Sequence, residues 1–255
     1  MNITPPFGFT ELVPVDQQHR IRRNLGLPAF YATQNAIPVS IGEMLLVMRD
    51  QPIVFTPLGD GPEPTGFVPV AVCGLSPSEN LLMQDGQWDP AVYLPAYLRR
   101  HPFCVAFGPA QGDQQRAAIL CVEKSALSDD GDPVANPDGT PTPAWQNAQN
   151  FVSEVENDFA RTQQFSKLLF DLKLLEGFSM TSTLPDGQEL KVSGMYRVSE
   201  EKLKALPADQ LRMLIERGVL RLIYMHLTSI ERFPSLIDRR VRKTAVANDA
   251  GQPQA

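Results

Sequence analysis

The sequence lacks the features that would assign it to a membrane or to a secretory pathway. No segment holds the roughly 18 to 20 uninterrupted apolar residues that a membrane-spanning helix needs. The nearest stretch, residues 220–230, is shorter and carries Arg221 and His226. The N-terminus has neither the basic region nor the apolar region of a signal peptide. We therefore expect a cytoplasmic protein without a membrane span, and export by a route that needs no signal peptide stays open.

Cysteine and histidine are scarce, and neither is arranged for chemistry. Cys73, Cys104 and Cys121 each sit in an apolar run and form no CxxC pair, which is typical of small buried thiols in strands. The 3 histidines are scattered, so a zinc site has no support. The GxGxxG, GxxxxGK[ST] and GxSxG motifs of phosphate sites and hydrolases are absent. The sequence predicts no metal, no cofactor and no catalytic residue.

Basic charge is in deficit overall but is concentrated near the C-terminus. The chain has 29 acidic and 23 basic residues, a net charge of −6, which opposes general binding to nucleic acid. An acidic cluster in residues 129–138 lacks the spacing of an EF-hand and indicates a solvated linker rather than a calcium loop. The basic cluster complements a helix dipole, stays solvated, or forms a docking patch for an acidic protein partner; it consists of Arg232, Arg239, Arg240, Arg242 and Lys243.

The first half of the chain is rich in proline and glycine and predicts short strands with few helices. The expected strands are residues 52–56, 67–73, 80–83, 103–107 and 118–122. Short helices are expected at residues 41–49 and 94–100, and Asp85-Gly86 predicts a turn because glycine adopts a positive φ. Residues 1–123 are therefore interpreted as a β-rich part.

The second half is predicted to be mainly helical. A polar, proline-rich linker occupies residues 124–143, and a long helical pattern follows over residues 144–175. A hairpin is expected where residues 179–184 and 189–194 flank the Asp186-Gly187 turn. Helices are then expected at residues 200–206, 207–217 and 219–232. The mainly helical part therefore comprises residues 144–245, and a disordered tail is expected at residues 246–255.

Together these patterns predict an α+β fold in which residues 1–255 form one compact unit, because neither half has an obvious complete core of its own. A competing layout is one continuous domain in which the hairpin at residues 179–194 joins the N-terminal sheet. Stable fragments released by trypsin near Lys124 would contradict the single unit.

The segment from Tyr93 to Phe103, YLPAYLRRHPF, together with Trp88-Asp89, is the most specific sequence feature of the chain. Further characteristic segments are residues 35–39, 51–55, 74–81, 184–187, 193–198 and 224–227. With these segments the chain resembles the SapC family of bacterial proteins over about residues 10–235. The resemblance implies an accessory of a bacterial surface layer or of peptide and nutrient uptake, and it supplies no catalytic residues. A permease role, which some relatives are given, conflicts with the lack of a membrane span.

The leading functional hypothesis is a non-enzymatic protein that binds a protein partner. Its candidate contact region, the aromatic–arginine block, combines the residue types that dominate binding hot spots; it consists of Trp88, Tyr93, Tyr97, Arg99, Arg100 and His101. The same residues are also suited to packing the protein's own core. The alternative function is an enzyme for a peptide or small metabolite, with His101, Tyr97 and Arg100 as the nearest candidate groups.

The C-terminal helices carry more apolar surface than one buried stripe requires. Residues Leu220, Ile223, Tyr224, Leu227 and Ile230 share one helical face, and Met213, Leu214 and Met225 add apolar surface nearby. A symmetric homodimer is therefore possible. The alternative is an internal helix that the monomer buries on both faces.

Overall fold

The structure is a computed structural model that describes residues 5–22, 25–107, 118–185 and 187–250. Asp186 of the predicted hairpin turn and residues 251–255 of the predicted tail lie outside the described residues. Residues 246–250 belong to the last helix, although a disordered tail was predicted from residue 246.

Short strands fill the first half of the chain, and two long strands follow in the second half. The strands are β1 (Leu12–Pro14), β2 (Arg20–Ile21), β3 (Ala36–Pro38), β4 (Ile53–Leu58), β5 (Gly66–Val72), β6 (Met83–Gln84), β7 (Gln87–Trp88), β8 (Phe103–Phe107), β9 (Ala118–Glu123), β10 (Asp132–Pro133), β11 (Leu175–Thr183) and β12 (Glu189–Val198).

Helices of one turn occur early, and longer helices dominate after residue 143. The helices are α1 (Met44–Val47), α2 (Ala96–Arg99), α3 (Pro143–Asp171), α4 (Glu200–Lys204), α5 (Ala208–Glu216), α6 (Val219–Ser229) and α7 (Phe233–Ala250), with 3₁₀ turns at Ala29–Thr33, Lys124–Ala126 and Ile230–Arg232. Sheets and helices are thus both present, as the predicted α+β class requires. Within the described residues, no helix combines the length and the apolar character needed to cross a membrane.

The chain divides into two compact units, each built from two separate segments. Unit 1 comprises Met1–Tyr31 and Ala96–Asn157, and unit 2 comprises Ala32–Pro95 and Asp158–Ala255. Helix α3 contributes residues to both units. The formation of one compact unit by the whole chain stays a prediction.

Unit 1 is built on an antiparallel sheet with the strand order β1-β9-β8. Alternate residues of β8 point to opposite faces, because side chains alternate along a strand. Phe103 packs in one apolar cluster with Val152 of α3, whereas Cys104 packs in another with Phe9. Apolar contacts on both faces explain why β8 and β9 are continuous apolar runs in the sequence. All three cysteines are buried, as predicted.

The predicted linker, residues 124–143, contains ordered elements of unit 1. It begins with the 3₁₀ turn Lys124–Ala126 and includes β10, which pairs with β2. Asp138 accepts hydrogen bonds from the backbone and hydroxyl of Thr140. Asp130 pairs with Arg22 at 3.0 Å on the surface. Within the described residues, no group of three or more metal-ligating side chains converges here or elsewhere.

Unit 2 is built on an antiparallel sheet with the strand order β11-β12-β4-β5-β3. The hairpin β11–β12 was predicted, and Tyr196 of β12 pairs with Phe55 of β4. The hairpin therefore extends a sheet of N-terminal strands, as in the competing layout. The core of unit 2 lies against this sheet and collects residues from α3 and the C-terminal helices, among them Phe55, Phe165, Leu169, Leu214 and Ile223.

His226 of α6 completes the junction between β4 and β12. Two residues beyond the Tyr196–Phe55 pair, Val198 and Ile53 would pair next. The imidazole of His226 lies between them instead: Val198 N–H donates to Nε2 at 3.1 Å, and Nδ1 lies 2.8 Å from the Ile53 carbonyl oxygen. Ser229 accepts the Ile53 N–H at 2.8 Å. Two α6 side chains thus satisfy backbone groups that the sheet leaves open.

Candidate functional site

The structure divides the aromatic–arginine block between the two units. Trp88 and Tyr93 belong to unit 2, because that unit's first segment ends at Pro95. The other four residues follow Ala96 and belong to unit 1. The block is therefore described as two separate environments.

In unit 1, Arg100 is a buried ion rather than an accessible one. Its side chain is 4 % exposed, and Nη1 lies 2.5 Å from Oε1 of Glu156. The guanidinium also stacks over the ring of Tyr97, 4.0 Å from its centroid. Burial raises the pKa of Glu156, while the charge of Arg100 opposes that rise. The Nε of Arg100 has no hydrogen-bond partner among the described residues.

Tyr97 is likewise engaged inside unit 1. Its hydroxyl donates to the carbonyl oxygen of Phe7 at 2.8 Å, and burial raises its pKa. The ring of Phe7 lies against those of Tyr97 and Phe30, with the closer pair of centroids 5.1 Å apart. These contacts match the alternative in which the block packs the protein's own core.

Arg99 and His101 reach the surface to different degrees. Arg99 is exposed and lies over the ring of Phe151, 5.1 Å from its centroid. His101 is half-buried beside Phe9, and burial lowers its pKa against the opposing charge of Glu123. Although burial alone would raise the pKa of Glu123, hydrogen bonds from Thr10 and the Glu11 backbone hold it below its usual value. A common contact surface for all six residues of the block stays a prediction.

In unit 2, Trp88 and Tyr93 bracket a tight loop. The indole Nε1 of Trp88 donates to the carbonyl oxygen of Val92 at 3.1 Å, and the side chain is partly exposed. The hydroxyl of Tyr93 donates to Glu43 at 3.2 Å. The preceding β6–β7 hairpin turns at Asp85 and Gly86, which have φ values of 52° and 76°, so the predicted turn is confirmed.

Two adjoining cavities lie between the β6–β7 hairpin and helix α7; together they are called the cleft. One has a volume of about 390 Å³ and is lined by Leu81, Met83, Gln84, Asp89, Arg239, Arg242 and Lys243. The other has a volume of about 560 Å³ and extends along the hairpin past Asp85 and Trp88. The cleft thus combines an apolar floor, an aromatic side chain and a cationic helix face.

Ion pairs and hydrogen bonds attach α7 to the segment that precedes and forms the hairpin. Arg239 Nη1 lies 2.7 Å from Oδ2 of Asp89. Arg240 donates to Ser76 Oγ at 2.5 Å and lies 3.7 Å from Glu79. The backbone N–H of Ala91 and the guanidinium of Arg239 hold the pKa of Asp89 below its usual value. The two walls of the cleft are therefore held at a defined separation.

Sequence reasoning identified both walls of the cleft but did not join them. The hairpin side is Trp88-Asp89, and the helix side is the basic cluster from Arg239 to Lys243. The available signal was the spacing of Arg239 and Lys243, four residues apart and so on one helix face. The pairing of Asp89 with Arg239, across 150 positions of sequence, could not be read from local patterns.

One comparison with known proteins finds a match, and that match covers most of the chain. The family model described as SapC matches residues 17–236, which is more than half of the chain. No curated protein matches the chain, and no solved structure matches it. The matched range contains the β6–β7 hairpin and ends inside α7, before Arg239.

Proposed function

The chain belongs to the SapC family, and on that premise we propose that it is a non-enzymatic binding protein whose binding site is the cleft. It acts as an accessory of a bacterial surface-layer or peptide-uptake system, the roles that the family resemblance implies. The partner is a protein or a peptide that inserts between the β6–β7 hairpin and α7.

The observation that carries this proposal is the cleft itself. Its larger cavity, of about 560 Å³, lies within the range of about 300 to 1,000 Å³ that is usual for ligand sites. Trp88 and the arginines of α7 are residue types that contribute strongly to binding, because they combine a large rigid area with directional donors. Since the Asp89–Arg239 ion pair fixes the walls, little ordering is needed when a ligand enters.

The composition of the lining favours binding over catalysis. Among the residues that the structure describes, those that line the two cavities include no histidine, cysteine or serine. Asp89 is paired with Arg239 and has a lowered pKa, which makes it a poor proton donor or acceptor near neutral pH. The charged groups of the cleft are thus suited to attract and orient a ligand.

Affinity capture from a native lysate tests the proposal. The exposed Gln84 on the wall of the cleft is replaced in the variant Gln84→Trp, which fills the cavity without disturbing a buried contact. The control variant is Arg212→Glu, an exposed change on α5 outside the cleft. We expect the wild type and Arg212→Glu to retain the same partner and Gln84→Trp to lose it. Equal capture by all three proteins would contradict binding in the cleft.

A further inference from the structure

We infer that the cleft binds an acidic peptide segment, with Arg242 and Lys243 pairing its carboxylates and Leu81 and Met83 receiving an apolar side chain. This inference rests on the proposed function, because it names the class of ligand for the same cleft. It also selects the docking patch among the interpretations of the basic C-terminal cluster.

The first observation is a charge in the cleft that the protein does not neutralise. Arg239, Arg242 and Lys243 line the same cavity, three and four residues apart on one face of α7. Asp89 pairs with Arg239. Among the side chains that the structure describes, no carboxylate lies within ion-pair distance of Arg242, and Lys243 donates to the Asn80 carbonyl oxygen at 3.4 Å.

The second observation is that these cations are held in place before any ligand arrives. Arg239 and Arg240 precede Arg242 by three and two positions, and they attach the helix to Asp89, Ser76 and Glu79. A carboxylate that enters the cleft therefore meets charges whose helix is already positioned. Fixed donors of this kind strengthen binding because less conformational freedom is lost on association.

The third observation concerns the rest of the lining, which fits a peptide better than a polyanion. Leu81 and Met83 form an apolar floor, and methionine adapts readily to different side chains. The amide of Gln84 can both donate to and accept from a peptide backbone. Asp85 lines the adjoining cavity, so the cleft accepts carboxylates beside Arg242 and Lys243 but repels a continuous run of negative charges such as a nucleic-acid backbone.

The test uses Trp88 as an internal reporter of occupancy. The chain has 2 tryptophans, and Trp145 packs on Phe103 in unit 1. In the variant Trp145→Phe, all tryptophan emission therefore comes from Trp88. Two amidated hexapeptides with the same apolar residues are titrated, one with glutamates and one with glutamines at the other positions. We expect the glutamate peptide to shift the Trp88 emission and to bind about tenfold more tightly than the glutamine peptide.

Variants of the two cations identify the groups responsible. Both are exposed, so the double variant Arg242→Gln/Lys243→Gln is expected to fold with an unchanged thermal transition. The double variant should lower the affinity for the glutamate peptide by about tenfold. Raised salt should weaken the binding of the same peptide to the wild type, because it screens the charges. The matched control, Arg212→Gln/Arg217→Gln, removes two exposed cations on and beside α5 and should bind normally.

Three outcomes would overturn the inference: equal binding of the two peptides, no binding of the glutamate peptide, or tighter binding of a duplex DNA probe. If any of these occurred while Gln84→Trp still abolished capture of a native partner, the acidic-peptide assignment would fail and the proposed function would stand. If the peptide result failed and Gln84→Trp also left capture of the native partner unchanged, the cleft would be ruled out as a binding site.

Discussion

At the scale of single residues, His226 links the protein's stability to pH. The imidazole is fully buried and is hydrogen-bonded, as a neutral ring, to backbone groups of Val198 and Ile53. Burial lowers its pKa to about 4. An unfolded histidine has a pKa of about 6.5. The unfolded chain therefore takes up a proton in a range where the folded chain does not, so the stabilisation is complete above about pH 6.5 and is lost as pH falls towards 4.

We expect this linkage to appear in the free energy of unfolding. It should fall by about 2.4 kcal/mol between pH 7 and pH 4.5 through His226, as measured by urea denaturation at several pH values. His226→Leu should lower stability at pH 7 by about 3 kcal/mol, because the Val198 N–H loses its partner and the Ile53 carbonyl oxygen loses its closer one. It should also flatten the dependence of the unfolding free energy on pH. His19→Gln, a change at a surface turn, serves as the control. An unchanged slope in His226→Leu would disprove the assignment.

Two adjacent arginines offer a second residue-scale prediction. Arg100 is buried on Glu156, whereas Arg99 is exposed. Arg100→Met should therefore destabilise the fold by about 3 kcal/mol, since it leaves the Glu156 carboxylate without its partner, and adding Glu156→Gln should recover part of that loss. Arg99→Met should cost less than about 1 kcal/mol. Equal losses for the two single variants in thermal or urea unfolding would show that the Arg100 ion pair is not structural.

At the scale of elements, the attachment of α7 to the hairpin depends on Asp89. Because its pKa is lowered in the folded protein, its contribution to stability is complete above its unfolded pKa, about 3.9, and is lost as pH falls through the folded value. Arg239→Gln removes the partner at any pH. We expect this variant to cost about 1 kcal/mol and to speed hydrogen exchange in α7 more than in β11 and β12. Uniform exchange rates would contradict the attachment.

Sequence patterns correctly predicted those helices, strands and turns that depend mainly on residues close together in the chain. The strand at residues 103–107, the long helix and the hairpin were all found, because continuous apolar runs, helical periodicity and a glycine turn signal them. The strand expected at residues 80–83 was wrong: apart from Met83 these residues form no strand. There the side chain of Asn80 accepts the N–H of Leu82 and so competes with a strand ladder.

The cleft was the part that local patterns could not supply. The predicted block joined neighbours in sequence, but burial separates its members: Arg100 and Tyr97 face inward and Arg99 faces outward. The cleft instead depends on contacts between residues 76–89 and α7. Such contacts follow from the packing of the whole of unit 2, in which α7 anchors itself through Phe233 and Leu236.

At the scale of the whole molecule, self-association stays a prediction. The exposed apolar residues of the C-terminal helices show where a dimer contact would lie. Ile223 and Leu214 are in the core, whereas Ile215 is 60 % and Tyr224 46 % exposed. If a homodimer forms through these helices, Ile215→Arg/Tyr224→Arg should keep it monomeric. Light scattering checks this: the wild-type mass should rise above 28.2 kDa with concentration, and that of the variant should not. A constant mass of 28.2 kDa for the wild type would exclude the dimer.

The interleaved segments of the two units also set the order in which the protein can assemble on a ribosome. The last residues of β12 leave the ribosome more than one hundred positions after β5, and the second segment of unit 1 is made in between. At typical translation rates this delay is on the order of ten seconds. During that interval the edge of β4 that later receives β12 has no partner strand, so the nascent chain presents an open template for aggregation until the hairpin arrives.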